Sequence, residues 1–118
     1  MPDAPILVID DDPAILSTVT DILEFEGYQV EQASNGAEGL AHVAGTLPRL
    51  VLLDMRMPVL DGWGFAGALR ERGIDLPILV MTAAQDARRW AQEIGAAGYI
   101  ATPFDVPALL LAVEGLVG

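Results

Sequence analysis

Asp10, Asp11, Asp54, Thr82 and Thr102 are the side chains through which this sequence could do chemistry. Each follows a short apolar run: Asp10 and Asp11 after Ile6–Ile9, Asp54 after Leu50–Leu53, Thr82 after Ile78–Met81, and Thr102 after Tyr99–Ala101. Ligands of open α/β sheets bind beyond the carboxyl ends of the strands, so the five positions share one edge if these runs are strands of one sheet. Three carboxylates gathered there repel one another. A like-charge pair near 4 Å costs about 4 kcal/mol at an effective dielectric of 20. A bound cation, or a proton on one member, relieves the repulsion. An all-oxygen donor set favours Mg²⁺, Mn²⁺ or Ca²⁺ over zinc. Magnesium keeps coordination positions open for phosphate oxygens, and a carboxylate beside it can act as a covalent nucleophile toward phosphorus.

The elements that must position these groups are legible in the same rows. Ile6–Ile9, Leu50–Leu53 and Ile78–Met81 are continuous apolar runs without polar alternation, the pattern of strands buried on both faces of a parallel sheet. Tyr28–Glu31 alternates and reads as an edge strand whose end offers only Ala33 and Ser34; Tyr99–Ala101 is a short fifth strand. Asp12-Pro13 opens a first helix with an apolar stripe of Ile15, Val19, Ile22 and Leu23, closed at Gly27. Asn35 with Glu38 opens a second and Asp61-Gly62 a third, Gly95 closes a fourth, and Asp105 caps a fifth. Gly64 and Gly67 should each cost the third helix about 1 kcal/mol relative to alanine. Five βα units with right-handed crossovers place helices on both faces. The expected fold class is α/β, a doubly wound five-stranded parallel sheet.

Composition narrows the function classes. The chain has 118 residues, one ordinary domain, with 17 acidic against 6 basic residues and a net charge of −11. That charge disfavours nucleic acid and anionic membrane surfaces as partners. The absence of cysteine removes disulfides, thiolate zinc sites and cysteine nucleophiles. His42 alone cannot build a multi-histidine metal site, and it reads as a surface or boundary side chain without an adjacent acid. No apolar run approaches a membrane span and the amino terminus has no signal-peptide pattern, so the expected location is cytoplasmic.

Four segments then carry a resemblance: Ile6 to Pro13 (ILVIDDDP), Leu50 to Gly62 (LVLLDMRMPVLDG), Ile78 to Ala83 (ILVMTA) and Gly98 to Phe104 (GYIATPF). In order and spacing they resemble the signature segments of response-regulator receiver domains, across residues 1–118. The resemblance implies the flavodoxin-like strand order 2-1-3-4-5 for the sheet, and a phosphoryl-accepting switch of two-component signalling, not a turnover enzyme. Asp54 would take the phosphoryl group from the phosphohistidine of a histidine kinase or histidine phosphotransfer protein. Asp11 and Asp54, with the backbone carbonyl of Arg56, would ligate Mg²⁺ (or Mn²⁺), and Asp10 would act through water. Thr82 would hydrogen-bond the phosphoryl oxygen, and Tyr99 would report the change through its rotamer. The Thr102-Pro103 bond is a candidate cis peptide.

One position departs from the pattern. Receiver domains usually carry a lysine where this chain has Thr102, and the chain has no lysine at all. A hydroxyl donates one neutral hydrogen bond in place of a charged one, a loss of ~1–2 kcal/mol that makes switching shallower by roughly 5–30-fold. Arg56, two residues past the acceptor, could supply part of the missing charge; a solvated Arg56 is the bland alternative. Asp12 and Asp61 read as helix caps, and Trp63 and Trp90 as packing or surface aromatics. Leu109, Val113 and Leu116 make an inward stripe on the last helix, whereas Leu110 and Leu111 add apolar surface suited to a homodimer or output partner. Two other readings stay open. The first is a degenerate receiver that works by contact without phosphate. The second, a less favoured Mg-dependent phosphohydrolase, would carry its acceptor after the first strand rather than at Asp54.

Overall fold

The computed structural model describes residues 4–117, apart from the side chain of Ala84; the extreme amino terminus, read above for a leader, and Gly118 lie outside the described residues. Strands and helices alternate in the order β1 (Ile6–Ile9), α1 (Pro13–Phe25), β2 (Val30–Ala33), α2 (Gly36–Gly45), β3 (Leu50–Asp54), α3 (Gly62–Glu71), β4 (Ile78–Ala83), α4 (Ala84–Ile94), β5 (Gly98–Thr102) and α5 (Val106–Val117). The strands form one parallel sheet in the order β2-β1-β3-β4-β5. The doubly wound fold expected from the apolar runs is the fold observed.

Residue parity explains why those runs carry no polar alternation. Leu7, Ile9, Val51, Leu53, Ile78 and Val80 point to the side covered by α2, α3 and α4, where they pack with Val43, Phe65, Leu69, Trp90 and Ile94. Ile6, Val8, Leu50, Leu52, Leu79 and Met81 point the other way, onto Leu16, Val19 and Leu23 of α1 and Leu109 and Val113 of α5. Successive strand side chains alternate between faces, so a strand covered on both sides must be apolar at every position.

Four local expectations need correction. The second strand runs Val30–Ala33 rather than Tyr28–Glu31. Gly27, at φ 93°, closes α1, and its N–H donates to the Glu24 carbonyl while the Tyr28 N–H donates to that of Leu23. This paired closure uses Tyr28 in the helix cap, so the strand begins two residues later. On α1 it is Leu16, not Ile15, that sits fully inward with Val19 and Leu23; Ile15 and Ile22 flank the core half-buried. His42 has an acidic neighbour after all: Glu31 on β2 lies 3.5 Å from its Nδ1, a pairing across space that local sequence does not show. On α5, Leu110 packs against the α1/α5 core, and Leu111 alone of the two stands out, 71% exposed.

Helix starts follow their caps. Asp12, Asn35, Asp61 and Asp105 each accept a backbone N–H from two or three residues downstream, at 2.8–2.9 Å. The capping box of α2 is a variant, since Glu38 reaches back to the Ser34 N–H rather than to that of Asn35. Among the described residues, no helix is long and apolar enough to cross a membrane.

The glycines of α3 are not equivalent. A Cβ on Gly62 would sit 2.5 Å from Met55 Sδ and 2.8 Å from Met55 Cα, whereas one on Gly67 would meet nothing within 4 Å. Gly62→Ala should therefore cost about 1–3 kcal/mol through overpacking against β3, and Gly67→Ala should gain about 0.5–1 kcal/mol of helix propensity. Urea denaturation of the two variants beside the parent checks this. Equal shifts of one sign would contradict the close approach at Gly62.

Candidate functional site

Register brings the chemistry to one edge. Ile9 pairs with Leu53, Asp54 with Met81 and Ala83 with Thr102, so the residues ending β1, β3, β4 and β5 converge at the carboxyl side of the sheet. Asp10 is fixed first: its N–H donates to the Ala33 carbonyl, and its Oδ1 accepts the Asp12 N–H at 2.9 Å. Asp12 turns away to cap α1. Asp54 ends β3 and accepts the N–H of Arg56. One carboxylate oxygen each of Asp10, Asp11 and Asp54 lies within 4.8 Å of the others. Asp10 is 4% exposed, Asp54 is half-buried and Asp11 faces solvent.

These acids open into a shallow cleft of about 290 Å³ whose walls include Arg56, Thr82 and Thr102. Every site residue expected from sequence except Tyr99 is in it. Tyr99 lies on β5 beside Val80, with 48% of its surface exposed, outside the cleft walls. The Thr102–Pro103 bond is cis, as expected.

The electrostatics match the crowding. Burial pushes the Asp54 carboxyl up to about 7, aided by the charge of Asp10 and opposed by the Arg56 N–H. Burial likewise raises Asp10 to about 6, against the Asp12 N–H that favours its ionised form, with the charges of Asp11 and Asp12 adding to the rise. A cluster that holds protons near neutrality for want of positive charge is one that a divalent ion would relieve. Three hard oxygen donors, one of them open to water, fit a magnesium ion that retains part of its hydration shell.

The loop that follows Asp54 is pinned at both ends. The Leu60 carbonyl accepts the Gly36 N–H at 2.9 Å, and the Gly62 N–H donates to the Met55 carbonyl at 3.0 Å. Between them Val59 takes φ 71°, a left-handed conformation that costs a β-branched residue about 1–2 kcal/mol. Nothing in the sequence announces this, because valine is among the residues least suited to it.

Sequence reasoning also missed what holds Arg56. Its guanidinium lies over the Trp90 ring, 5.0 Å from the centroid. Trp90 in turn meets Trp63 edge-on at 5.0 Å, and Trp63 Nε1 donates to Glu93 Oε1 at 2.9 Å. The two tryptophans do pack, as expected, and one of them also engages the cation beside the acceptor.

Comparison with known proteins places this edge. The response regulator receiver domain profile matches residues 6–114. The chain belongs to the response regulator receiver family. The receiver is 41% identical over 115 residues to the DNA-binding dual master transcriptional regulator RpaA of Synechocystis, covering 94% of this chain and 48% of that protein. It is 42% identical over 113 residues to the response regulator MprA of a Mycobacterium species, covering 94% and 49%. The chain thus spans about half the length of these relatives. Among solved structures, the receiver domain of NtrX from Brucella abortus superposes with a TM-score of 0.87 at 30% identity, over 95% of this chain and 97% of that one. The chemotaxis protein CheY4 of Vibrio cholerae gives 0.85 at 30% identity, over 96% and 98%. Receiver domains of response regulators bind Mg²⁺ at an acidic cluster, take phosphate from histidine kinases and are generally not enzymes; this receiver assembles such a cluster from Asp10, Asp11 and Asp54.

Proposed function

We propose that this receiver is a phosphoryl-accepting switch in which Asp54 takes the group from a phosphohistidine of a histidine kinase or phosphotransfer protein. The observation that carries the reading is the convergence of three carboxylates from two strand ends within 4.8 Å, with Asp54 among them. Asp11, Asp54 and the Arg56 carbonyl would hold Mg²⁺, with Asp10 acting through water; Mn²⁺ would serve in its place. The bound ion supplies charge neutralisation for the incoming phosphoryl oxygens. Asp54 forms a carboxylate–phosphorus bond as the phosphorus–nitrogen bond to the donor breaks, and the imidazole nitrogen leaves with the bonding pair. Thr82, buried on β4 and lining the cleft, donates its hydroxyl to a phosphoryl oxygen. Water later cleaves the acyl phosphate and restores the Asp54 carboxylate.

The output surface in this reading is the β5–α5 side, where Tyr99 and Leu111 are exposed. Tyr99 is the switch residue, and a homodimer or an output partner would cover Leu111. In this reading the exchange takes place in the cytoplasm.

Intact-mass measurement after incubation with Mg²⁺ and acetyl phosphate tests the reading. The expected result is one added phosphoryl group on the parent chain and none on Asp54→Asn. No gain from acetyl phosphate or from the partner kinase would favour a contact module independent of phosphate. Steady phosphate release from an aryl phosphate would favour a phosphohydrolase.

A further inference from the structure

Thr102 stands in the pocket around Asp54 where the family resemblance implies a lysine, and among the described residues that wall the pocket only Arg56 carries positive charge. That guanidinium is parked over the Trp90 ring at 5.0 Å, closer than the second cation on the same ring, Arg89 at 5.9 Å, and with both in place Trp90 is 5% exposed. Trp90 belongs to α4, and its neighbour Trp63 to α3, itself tied to Glu93 of α4. The side chain of Arg56 therefore joins the loop after the acceptor to the helix that follows Thr82.

A cation–π contact at a partly exposed site is worth about 0.5–1 kcal/mol, whereas a hydrogen bond between two charged groups is worth about 1.5–3 kcal/mol. The magnitudes decide the direction of exchange. With no phosphoryl group present, the Asp54 carboxyl already holds the Arg56 backbone N–H, and the ring retains the guanidinium. A dianionic phosphoryl group on Asp54 outbids the ring, and the planar fork of the guanidinium suits two of its oxygens.

We propose that Arg56 is the phosphoryl-binding cation of this receiver, held on Trp90 while Asp54 is unmodified and transferred to the phosphoryl oxygens when it is modified, so that occupancy of Asp54 changes the packing of α4. The inference rests on the phosphoryl-acceptor reading and deepens it. Loss of the guanidinium leaves the Trp90 face uncovered on the side toward the acceptor loop, which is the link from pocket to helix.

Beryllofluoride, a stand-in for the phosphoryl group that is not hydrolysed, tests this without the complication of turnover. It is titrated under saturating Mg²⁺ into a Trp63→Phe background, in which Trp90 is the one remaining tryptophan. Fluorine NMR reads binding and tryptophan emission reads the ring. Arg56→Ala should weaken binding about 5–10-fold, and Arg56→Lys should recover part of that loss. Trp90 emission should change on binding when Arg56 is present and stay constant in Arg56→Ala. Equal affinities in the arginine and alanine chains would overturn the proposal, as would constant Trp90 emission in the bound arginine chain. Failure of the underlying reading looks different: the parent chain would bind no beryllofluoride, or Asp54→Asn would bind it equally well.

Discussion

Mg²⁺ binding should tighten by roughly 10–20-fold between pH 6 and pH 8, because the cluster must shed its protons before an ion can enter. The size follows from Asp54 near 7 and Asp10 near 6: at pH 6 most molecules carry at least one of these protons, and at pH 8 few do. Carboxylates with ordinary pKa values would give an affinity flat over this range. Calorimetry in two buffers of different ionisation enthalpy reads both the affinity and the protons released. A pH-independent affinity with no proton release would mean that the three acids do not face one another in solution.

The same shifts fix the sign of the metal-free stability. Both folded-state values are raised, so folding favours the protonated carboxyls. Their contribution is present below about pH 4, the unfolded range, and is lost as the pH rises through 6 and 7. With Mg²⁺ the loss above pH 7 should be reversed. The Asp54→Asn protein, which has no charge to bury there, should exceed the metal-free parent at pH 8 by roughly 1–3 kcal/mol after allowance for the cleft's access to water.

Much of this fold and site could be read from residue order, and the reason is physical. Strands covered on both faces must be apolar throughout, so β1, β3 and β4 stand out as uninterrupted runs. Polar residues at their carboxyl ends are then conspicuous, and Asp10, Asp11, Asp54 and Thr82 were legible on that ground. What escaped depends on contacts between distant segments. The start of β2 was hidden because the closure of α1 consumes Tyr28, a matter of hydrogen bonds and not of hydropathy. The ring beneath Arg56 comes from α4, more than thirty positions along the chain, and no periodicity connects the two. The left-handed Val59 ran against its own propensity, held within the loop that the Gly62–Met55 and Gly36–Leu60 bonds close. Gly62 was legible as a helix start, but its need for a bare Cα came only from the approach of Met55.

Thr102→Lys should restore a fixed cation to the cluster, with three linked consequences. The ammonium offsets repulsion among Asp10, Asp11 and Asp54, so metal-free stability at pH 8 should rise by about 1–2 kcal/mol and the acid pKa values should fall. It competes with the divalent ion for the same oxygens, so Mg²⁺ affinity should drop several-fold. It adds a charged hydrogen bond that forms best with the phosphoryl group, so the ratio of active to inactive forms should deepen by about 5–30-fold, read from exchange-resolved NMR of α4 with and without beryllofluoride. Unchanged stability and unchanged Mg²⁺ affinity would show that a side chain at position 102 points out of the cleft. The two cations can also be told apart. If Arg56 already supplies much of the charge, the gain from Thr102→Lys should be larger in an Arg56→Ala background than in the parent. A double-mutant cycle measures that difference as a coupling between Thr102, which ends β5, and Arg56 in the loop after β3. Strict additivity would mean that the two cations serve the phosphoryl group independently and that neither substitutes for the other.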